Sequence, residues 1–393
     1  MQVNQQEVHV PATLDVEAVE HELAELWKHA GASEEDEAGA TMRARVLNLI
    51  VYVETAQALA QINEVIAEIT GAHPCRALVL IAERQAADHD IEMFISAFCQ
   101  TPDARSERRL CCEQVTLKAA GRFVRELPSA ATPLLVSDLP IFLWWRAAFE
   151  TGDPVFKSLT RAADRLVIDS AVFSRPREDL TALVHLLPEA RKTRTAVSDF
   201  NWSRLTSWRA LLASFYDVAE YRAALDRLER VRFEYVAAEA APQAIAPQAL
   251  MLAGWLASRL GWSVKQTLAR DRDEETHAVL LKKDSTSIVF EFRRIERQEF
   301  KPGRLARVEL KSEAEPAASF VVKRSDDGLH LETSASGCAE VYSSRVVPVR
   351  NRSAAVLLGR ELSIVSRDRV YEQAIASAAE LLGETSDASP SNS

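Results

Sequence analysis

In the first half of the chain, short apolar runs alternate with segments whose apolar residues recur at helical spacing. The runs predict strands at residues 46–53, 76–82, 91–99, 111–117, 134–136, 141–145 and 165–169. The periodic segments predict helices at residues 15–29, 55–69, 119–126 and 177–187. Largely uninterrupted apolar strands between helices are typical of a sheet that is covered on both faces. We therefore expect an N-terminal α/β domain with a mixed sheet covered by helices.

The second half has a different pattern. Helices are predicted at residues 206–228, 247–260 and 367–382, and Gly261 ends the second of them. Between the last two, short segments separated by turn residues predict strands at residues 277–281, 287–293, 304–310, 319–323, 329–333 and 340–344. Apolar and polar side chains alternate within residues 287–293, which indicates a sheet with one solvated face. This half predicts an α+β C-terminal domain with a largely antiparallel sheet.

The length of 393 residues exceeds what one hydrophobic core usually supports, so two domains are expected. We place the boundary near residue 195. Residues 33–39 are acidic and small, which predicts a mobile linker, and the composition after residue 382 predicts a disordered tail. The expected organisation is an N-terminal helix with an acidic linker (1–40), the α/β domain (41–194), the α+β domain (195–382) and the tail (383–393).

The net charge of −10 argues against nonspecific binding to nucleic acids or anionic membranes, because both require a basic surface. The first ten residues lack the basic region and apolar core of an export signal, and no apolar run approaches the roughly 20 residues that span a bilayer. We therefore expect a cytoplasmic protein whose partners are proteins or small molecules.

Two short segments, residues 138–146 and 198–209, hold four of the seven tryptophans, each close to an arginine. Neither segment contains a histidine, cysteine or glutamate. Tryptophan and arginine supply contact area, cation–π stacking and forked donors, and both are enriched at interface hot spots. These segments therefore favour recognition over catalysis. The candidate partner-binding residues are Trp144, Trp145, Arg146, Trp202, Arg204, Trp208 and Arg209, with Asp138, His73 and Arg76 as secondary candidates.

Catalytic motifs give little signal. The chain has no GxxxxGK[ST], GxGxxG, HExxH or GxSxG pattern, and its twelve glycines are too few to favour a dinucleotide-binding half. The eight histidines and five cysteines show no metal-ligand spacing. We expect no catalytic residues, cofactor or metal.

Each candidate segment also has a purely structural interpretation. His73 and Arg76 are more consistent with a tight helix-to-strand turn than with an anion contact. On a strand, Trp144 and Trp145 point to opposite faces, so one ring is expected in the core and the other elsewhere.

The third segment leaves two interpretations open. Trp202, Leu205, Trp208 and Leu212 share one helix face, which could belong to a capped helix with surface salt bridges. Alternatively, Arg194, Arg204 and Arg209 could make the start of that helix an anion site.

Four segments together resemble the OpcA family of glucose-6-phosphate dehydrogenase assembly proteins. They read HPCRALVL (73–80), DLPIFLWWR (138–146), DRLVIDS (164–170) and DFNWSRLTSWR (199–209). Their order along the chain matches as well. The resemblance covers about residues 40–260, and residues 254–262 continue it into the C-terminal half.

The resemblance implies a protein without catalytic activity that associates with glucose-6-phosphate dehydrogenase, helps its subunits assemble and raises its activity. Such a protein would support NADPH production in the oxidative pentose phosphate pathway. An alternative is an enzyme that binds a sugar phosphate or nucleotide sugar. It would use Arg76, Arg146 or Arg204 as phosphate ligands and Asp138 or Asp169 as a base.

Overall fold

The computed structural model describes residues 8–10, 16–31, 41–43, 45–100, 109–239, 241–270, 276–313, 317–337, 344–349, 353–364 and 366–384. Its strands are β1 (Val8–Val10), β2 (Thr41–Arg43), β3 (Leu47–Val53), β4 (Cys75–Glu83), β5 (His89–Gln100), β6 (Arg109–Ala120), β7 (Ile141–Trp145), β8 (Arg165–Ile168), β9 (Ala196–Asp199), β10 (Arg230–Val236), β11 (Ser263–Arg270), β12 (Thr276–Leu281), β13 (Ser287–Ile295), β14 (Leu305–Ser312), β15 (Ala318–Arg324), β16 (His330–Ser336) and β17 (Val346–Pro348). Its α-helices are α1 (Val16–Gly31), α2 (Leu59–Thr70), α3 (Leu127–Ala131), α4 (Pro154–Ala162), α5 (Pro176–Lys192), α6 (Phe200–Arg204), α7 (Thr206–Ser214), α8 (Ala219–Asp226), α9 (Pro247–Leu260), α10 (Ala354–Leu362) and α11 (Arg369–Leu381).

The chain forms two compact units, and neither is continuous in sequence. The predicted boundary near residue 195 falls close to one of the points where the chain passes between them, Ser198 to Asp199. The chain returns to the first unit late, because α10 packs against α2. The first unit comprises Met1–Ile168, Ala190–Ser198 and Arg352–Arg367; the second comprises Asp169–Glu189, Asp199–Asn351 and Asp368–Ser393.

The first sheet has the strand order β1-β5-β6-β4-β3-β7-β8-β9, and β2 also pairs with β6. The pairs β6–β4, β4–β3, β3–β7 and β7–β8 are parallel, whereas β5 is antiparallel to both β1 and β6. Without β1, β2 and β5, the chain order of the strands across the sheet is 3-2-1-4-5-6. This is the order of a doubly wound dinucleotide-binding sheet.

The central strands of this sheet are buried on both faces. All seven residues of β3 are buried, as are eight of the nine in β4. Helix α2 packs its apolar side against β5 and β6, and Pro74, at the end of the turn that follows it, is buried. The predicted mixed sheet covered by helices is therefore confirmed.

The second sheet has the order β11-β12-β13-β10-β14-β15-β16-β17. Only β10 and β13 pair in parallel among its described pairs, so the predicted, largely antiparallel sheet is also confirmed. In β10, β13 and β14, buried and partly exposed positions alternate along most of the strand, as the sequence pattern predicted. Phe215 and Tyr221 contact Phe320 of β15, so the segment from α7 to α8 contributes to the core of this unit.

Helices α9 and α11 pack unusually closely at Gly254. A Cβ atom on that residue would lie 2.1 Å from the carbonyl oxygen of Ala374 and 2.7 Å from the amide nitrogen of Ala378. Helix α9 ends at Gly261, whose φ of +67° is the left-handed conformation that favours glycine at this position.

Some predicted elements were wrong. Residues 134–136 form no strand, because Leu134 ends a 3₁₀ turn (Thr132–Leu134) and the side chain of Asn48 bonds to both the amide and the carbonyl of Val136. The predicted helix at residues 206–228 is interrupted by a second 3₁₀ turn, Phe215–Asp217. Residues 340–343 of the predicted strand at 340–344, the acidic linker and nearly all of the predicted tail lie outside the described residues.

In the described part of the chain, no helix is both long enough and apolar enough to cross a lipid bilayer.

We expect the substitution Gly254→Ala to lower the free energy of unfolding by about 1–3 kcal/mol, although alanine favours helix formation. The new methyl group would meet the backbone of α11, which cannot move aside as a side chain can. Urea unfolding of the full chain measures this effect. The matched control is Gly152→Ala, because nothing lies within 4 Å of a Cβ atom there. Equal effects of the two substitutions would contradict the close helix contact.

Candidate functional site

The motif segment 138–146 and the first five residues of the segment 164–170 are joined in the first unit. The amide of Ile141 donates to the side chain of Asp164 (2.8 Å), and the amide of Asp164 donates to the carbonyl of Ile141 (2.8 Å). These bonds align β7 with β8. The aspartate that opens the DRLVIDS segment is therefore part of the strand pairing.

The turn before β7 is held by a buried asparagine of β3. The side-chain nitrogen of Asn48 donates to the carbonyls of Val136 (2.9 Å) and Leu139 (3.3 Å), and its oxygen accepts from the amide of Val136 (2.8 Å). Asp138 lies exposed in this turn with a φ of +61°, a conformation that aspartate tolerates better than most residues. The position of Asp138 is thus explained by the turn.

Both tryptophans of β7 are buried, with exposed fractions of 3% for Trp144 and 5% for Trp145. The expectation that one ring would lie away from the core was wrong, because the sheet is covered on both faces. Trp145 stacks on Tyr52 (4.1 Å between ring centroids, 2° between planes) and meets the ring of Phe156 edge-on (4.9 Å). Trp144 lies beneath Arg146, whose guanidinium carbon is 4.8 Å from the ring centroid.

Tyr52 and Trp145 lie at the carboxyl ends of β3 and β7, where the strand order reverses. In doubly wound sheets this is the place where ligands bind. Here the place is occupied by aromatic side chains. The hydroxyl of Tyr52 accepts a hydrogen bond from Arg84 (2.8 Å), and burial raises the pKa of Tyr52 to about 12, although Arg84 opposes this shift.

His73 lies in the turn between α2 and β4, as the structural interpretation predicted, and Arg76 is the second residue of β4. Arg76 is 2% exposed and donates from Nε (3.0 Å) and Nη2 (2.7 Å) to one carboxylate oxygen of Glu113, the residue paired with it on β6. It also pairs with Glu20 of α1. Partial burial lowers the pKa of His73, whose bond to the backbone of Gly359 opposes the shift. Arg76 is therefore neutralised within the chain.

In the second unit, Asp199 organises the start of α6. Its carboxylate is buried and accepts hydrogen bonds from the amides of Ser170 (3.0 Å) and Asn201 (2.8 Å). Burial, and after it the negative charge of Asp169, raises the pKa of Asp199 to about 6. Asp199 thus connects the ends of the DRLVIDS and DFNWSRLTSWR segments.

A chain of amide groups continues from this point through the core of the second unit. The side-chain nitrogen of Asn201 donates to the hydroxyl of Ser170 (3.2 Å), and its oxygen accepts from the side chain of Gln248 in α9 (2.7 Å). The oxygen of Gln248 accepts from the amide of Leu305 in β14 (3.0 Å). The network joins α6, α9 and β14 without a charged member beyond Asp199.

Trp202 and Trp208 are also buried, with exposed fractions of 4% and 2%. The indole nitrogen of Trp202 donates to Asp368, the N-cap residue of α11 (2.8 Å). The guanidinium carbon of Arg209 lies 3.5 Å from the centroid of the Trp202 ring, and burial lowers the pKa of Arg209 to about 10. The tryptophans therefore support this region from within, and Arg209 lies partly exposed above them.

Both terminal nitrogens of Arg204 donate to the carboxylate of Asp169, Nη1 to Oδ1 (2.6 Å) and Nη2 to Oδ2 (2.8 Å). About one fifth of each side chain is exposed. Asp169 also caps the short turn Ser170–Val172, in which Val172 is 70% exposed. The pair therefore lies at the surface, where an apolar side chain projects beside it.

The candidate residues thus form two groups, one in each unit. Arg146 bonds to Gln61 (2.8 Å) and lies over Trp144, Arg209 lies over Trp202, and Arg204 ends α6, the short helix that contains Trp202. Sequence reasoning missed Asn48, Gln248 and Asp368, which are distant in sequence from the segments that they hold. Among the described residues, no three His, Cys, Asp or Glu side chains are grouped to hold a metal ion.

Two family models match the chain. Residues 66–185 match the model described as the glucose-6-phosphate dehydrogenase subunit N-terminal domain, and residues 195–375 match the corresponding C-terminal domain. Both belong to the OpcA family. The matches contain all four motif segments.

Curated relatives give the same result. A protein of Synechocystis sp. and one of Nostoc punctiforme, each named OxPP cycle protein OpcA, are 28% identical to the chain over 312 and 313 residues. The alignments cover 78% of this chain in both cases. The chain spans 63% and 65% of the length of these two relatives.

Solved structures with partial similarity are far more distant. A levoglucosan dehydrogenase in complex with NADH and L-sorbose has a TM-score of 0.49 and 12% identity, and a 3-ketoreductase from Actinomadura kijaniata has a TM-score of 0.47 and 9% identity. Each comparison covers 86% of this chain and 96% of the other. Similarity at this level supports no functional conclusion.

The substitution Asp199→Asn tests whether the pKa of this buried carboxyl is raised in the folded protein. Because the pKa of Asp199 is raised from 3.8 to about 6, this group makes the wild type less stable as the pH rises through that window. Asparagine keeps an oxygen acceptor but has no charge. As the pH rises from about 4 to about 6, the wild type should therefore lose free energy of unfolding relative to the variant.

Thermal unfolding of both proteins across this pH range gives the difference. A difference that does not change with pH would contradict the raised pKa. The companion variant Asp199→Ala leaves two buried amides without an acceptor, and we expect it to lose about 1–3 kcal/mol at every pH.

Proposed function

The chain belongs to the OpcA family of glucose-6-phosphate dehydrogenase assembly proteins, and from this membership we propose that it is a non-catalytic assembly factor and allosteric activator of glucose-6-phosphate dehydrogenase. It would thereby support NADPH production in the oxidative pentose phosphate pathway. The observation that carries the proposal is the match of two consecutive family models to both halves of the chain.

The filled crevice of the first sheet supports a role without catalysis. A dinucleotide site needs glycines in the first strand-to-helix turn, where the backbone approaches the pyrophosphate. The corresponding turn after β3 reads Glu54-Thr55-Ala56-Gln57 and has no glycine. Trp145 and Tyr52 occupy the neighbouring space with their stacked rings. The strand order of a cofactor-binding sheet is therefore combined with a packed aromatic core.

The contacts of the alternative phosphate ligands do not favour an enzyme. Arg76 is buried against Glu113, Arg146 bonds to Gln61, and Arg204 is paired through both forks with Asp169. Asp169, one of the two carboxylates considered as a base, is thus already bound to an arginine. We retain the activator proposal.

We propose two partner-binding patches, one in each unit: Arg146 over Trp144 in the first unit, and Arg204 with Arg209, which lies over Trp202, in the second. Arg146, Arg204 and Arg209 are each partly exposed, whereas the four rings are buried. A rigid aromatic base reduces the entropy that a side chain loses when it binds a partner. The tryptophans would therefore act by holding the arginines in place.

An activator must bind the active state of the enzyme more tightly than the inactive state. A tenfold shift of that equilibrium requires about 1.4 kcal/mol of differential binding free energy. A few well-packed arginine contacts supply energies of that order.

We expect this protein to raise the rate at which the host's purified glucose-6-phosphate dehydrogenase reduces NADP, or to lower its substrate requirement. The measurement is the initial rate across substrate concentrations with and without the protein, together with the light-scattering mass of the mixture. A heavier complex should accompany the rate change. An unchanged rate and the absence of a complex would refute the activator proposal.

The variant Arg209→Gln tests the proposed surface. Burial disfavours the charged form of Arg209, so the loss of its charge should leave the thermal midpoint nearly unchanged. We expect at least a threefold larger concentration of the variant for half-maximal activation. The matched control is Arg222→Gln, an exposed arginine of α8 that bonds to the carbonyl of Tyr216. Equal activation by both variants would exclude Arg209 from the surface.

A further inference from the structure

A group of arginines with an excess of positive charge lies beside the Asp169–Arg204 pair. Arg304, the residue before β14, interacts electrostatically with Arg204, Arg324 and Asp169. Two cations and one carboxylate thus act on this guanidinium. The buried carboxyl of Asp199 adds at most one further negative charge near Arg204, so an excess of positive charge remains in either of its protonation states.

Three separate parts of the second unit bring these arginines together. Arg204 ends α6, Arg304 precedes β14, and Arg324 ends β15. The backbone at Gly303 lies beside the turn that Asp169 caps, because a Cβ atom there would be 3.9 Å from the carbonyl oxygen of Ala171.

The backbone around Arg304 is fixed on both sides. Its carbonyl accepts from the amide of Val236 (2.9 Å). Arg324 donates from Nε to the carbonyl of Leu305 (3.4 Å) and from Nη1 to the carbonyl of Gly328 (3.1 Å). The arrangement is therefore part of the strand pairing and does not depend on a free loop.

The three guanidinium groups differ in their partners. Arg204 is engaged with Asp169, and Arg324 bonds to two carbonyls. The guanidinium of Arg304 has no hydrogen bond or ion pair with any residue that the structure describes. It is only partly exposed, and burial together with the charge of Arg204 lowers its pKa to about 10.

A buried arginine elsewhere in the same chain shows how the protein neutralises such a charge. Arg76 is almost completely buried and is paired with two carboxylates, Glu113 and Glu20. Arg304 has two like charges as neighbours and shares one carboxylate that is already taken. The charge of Arg304 is therefore compensated only in part by the groups that act on it.

We propose that Arg304, with the positive charges of Arg324 and Arg204 beside it, binds the phosphate group of a small phosphorylated metabolite. Guanidinium forks match the oxygens of a phosphate monoester, and a dianion compensates the excess of positive charge. A tetrahedral group can also accept from forks that approach from different strands. Val172, which is 70% exposed in the turn that Asp169 caps, offers an apolar contact to the rest of the metabolite.

The test uses the full chain and inorganic phosphate as the probe, with chloride replacing phosphate at constant ionic strength. Isothermal titration calorimetry should show saturable binding of phosphate to the wild type. Arg304→Gln should weaken this binding at least tenfold, and Arg304→Lys should weaken it less, since a point charge remains. The control is Arg307→Gln, a partly exposed arginine of β14 that lies 3.4 Å from Glu309. This variant should bind phosphate as the wild type does.

A second measurement separates binding from folding. Because Arg304 is held among like charges, Arg304→Gln should unfold at the same or a higher temperature than the wild type in phosphate-free buffer. The absence of saturable binding to the wild type would overturn the proposal. Equal weakening by Arg304→Gln and Arg307→Gln would overturn it too, because it would show general screening of charge. Binding is measured without the dehydrogenase, so this result is independent of the activator proposal.

Discussion

Asp199 is buried away from water, so backbone amides of the second unit supply the hydrogen bonds that its carboxylate needs. Two amides from different segments, those of Ser170 and Asn201, bond to its carboxylate. An unsatisfied buried carboxylate would be far more costly than any single packing contact. The arrangement therefore fixes the start of α6, and with it the positions of Trp202 and Arg204. Two of the four candidate binding residues of this region therefore depend on one buried charge.

In the first unit, Asn48 and Asp164 have a comparable effect without a buried charge. Asn48 bonds to the backbone of the turn before β7, and Asp164 bonds to the amide of its first residue. These bonds fix the register of β7, and with it the positions of its two tryptophans. Trp145 then fills the place where a doubly wound sheet usually opens into a crevice. The result is a sheet whose topology is that of cofactor-binding proteins but whose crevice is packed with aromatic rings.

The sequence pattern predicted most of the strands and the type of each sheet, mixed in the first unit and largely antiparallel in the second. Strands buried on both faces leave continuous apolar runs, whereas apolar and polar residues alternate in strands with one solvated face. It failed where tertiary contacts decide local structure. Residues 134–136 look like a strand, but Asn48, almost ninety positions earlier, bonds to the backbone there. The motif segments were found from their tryptophans and arginines. Their burial was not visible, since a strand at the centre of a sheet and one at its edge can share a sequence.

The late return of the chain to its first unit also bears on how the protein is made. Helix α10 follows the whole second sheet in sequence, yet it packs on α2. During synthesis on the ribosome, the first unit therefore cannot be completed until residues beyond 360 have emerged. Until then α2 lacks the helix that packs on it, in the interval when a nascent chain is most exposed to aggregation and to chaperones.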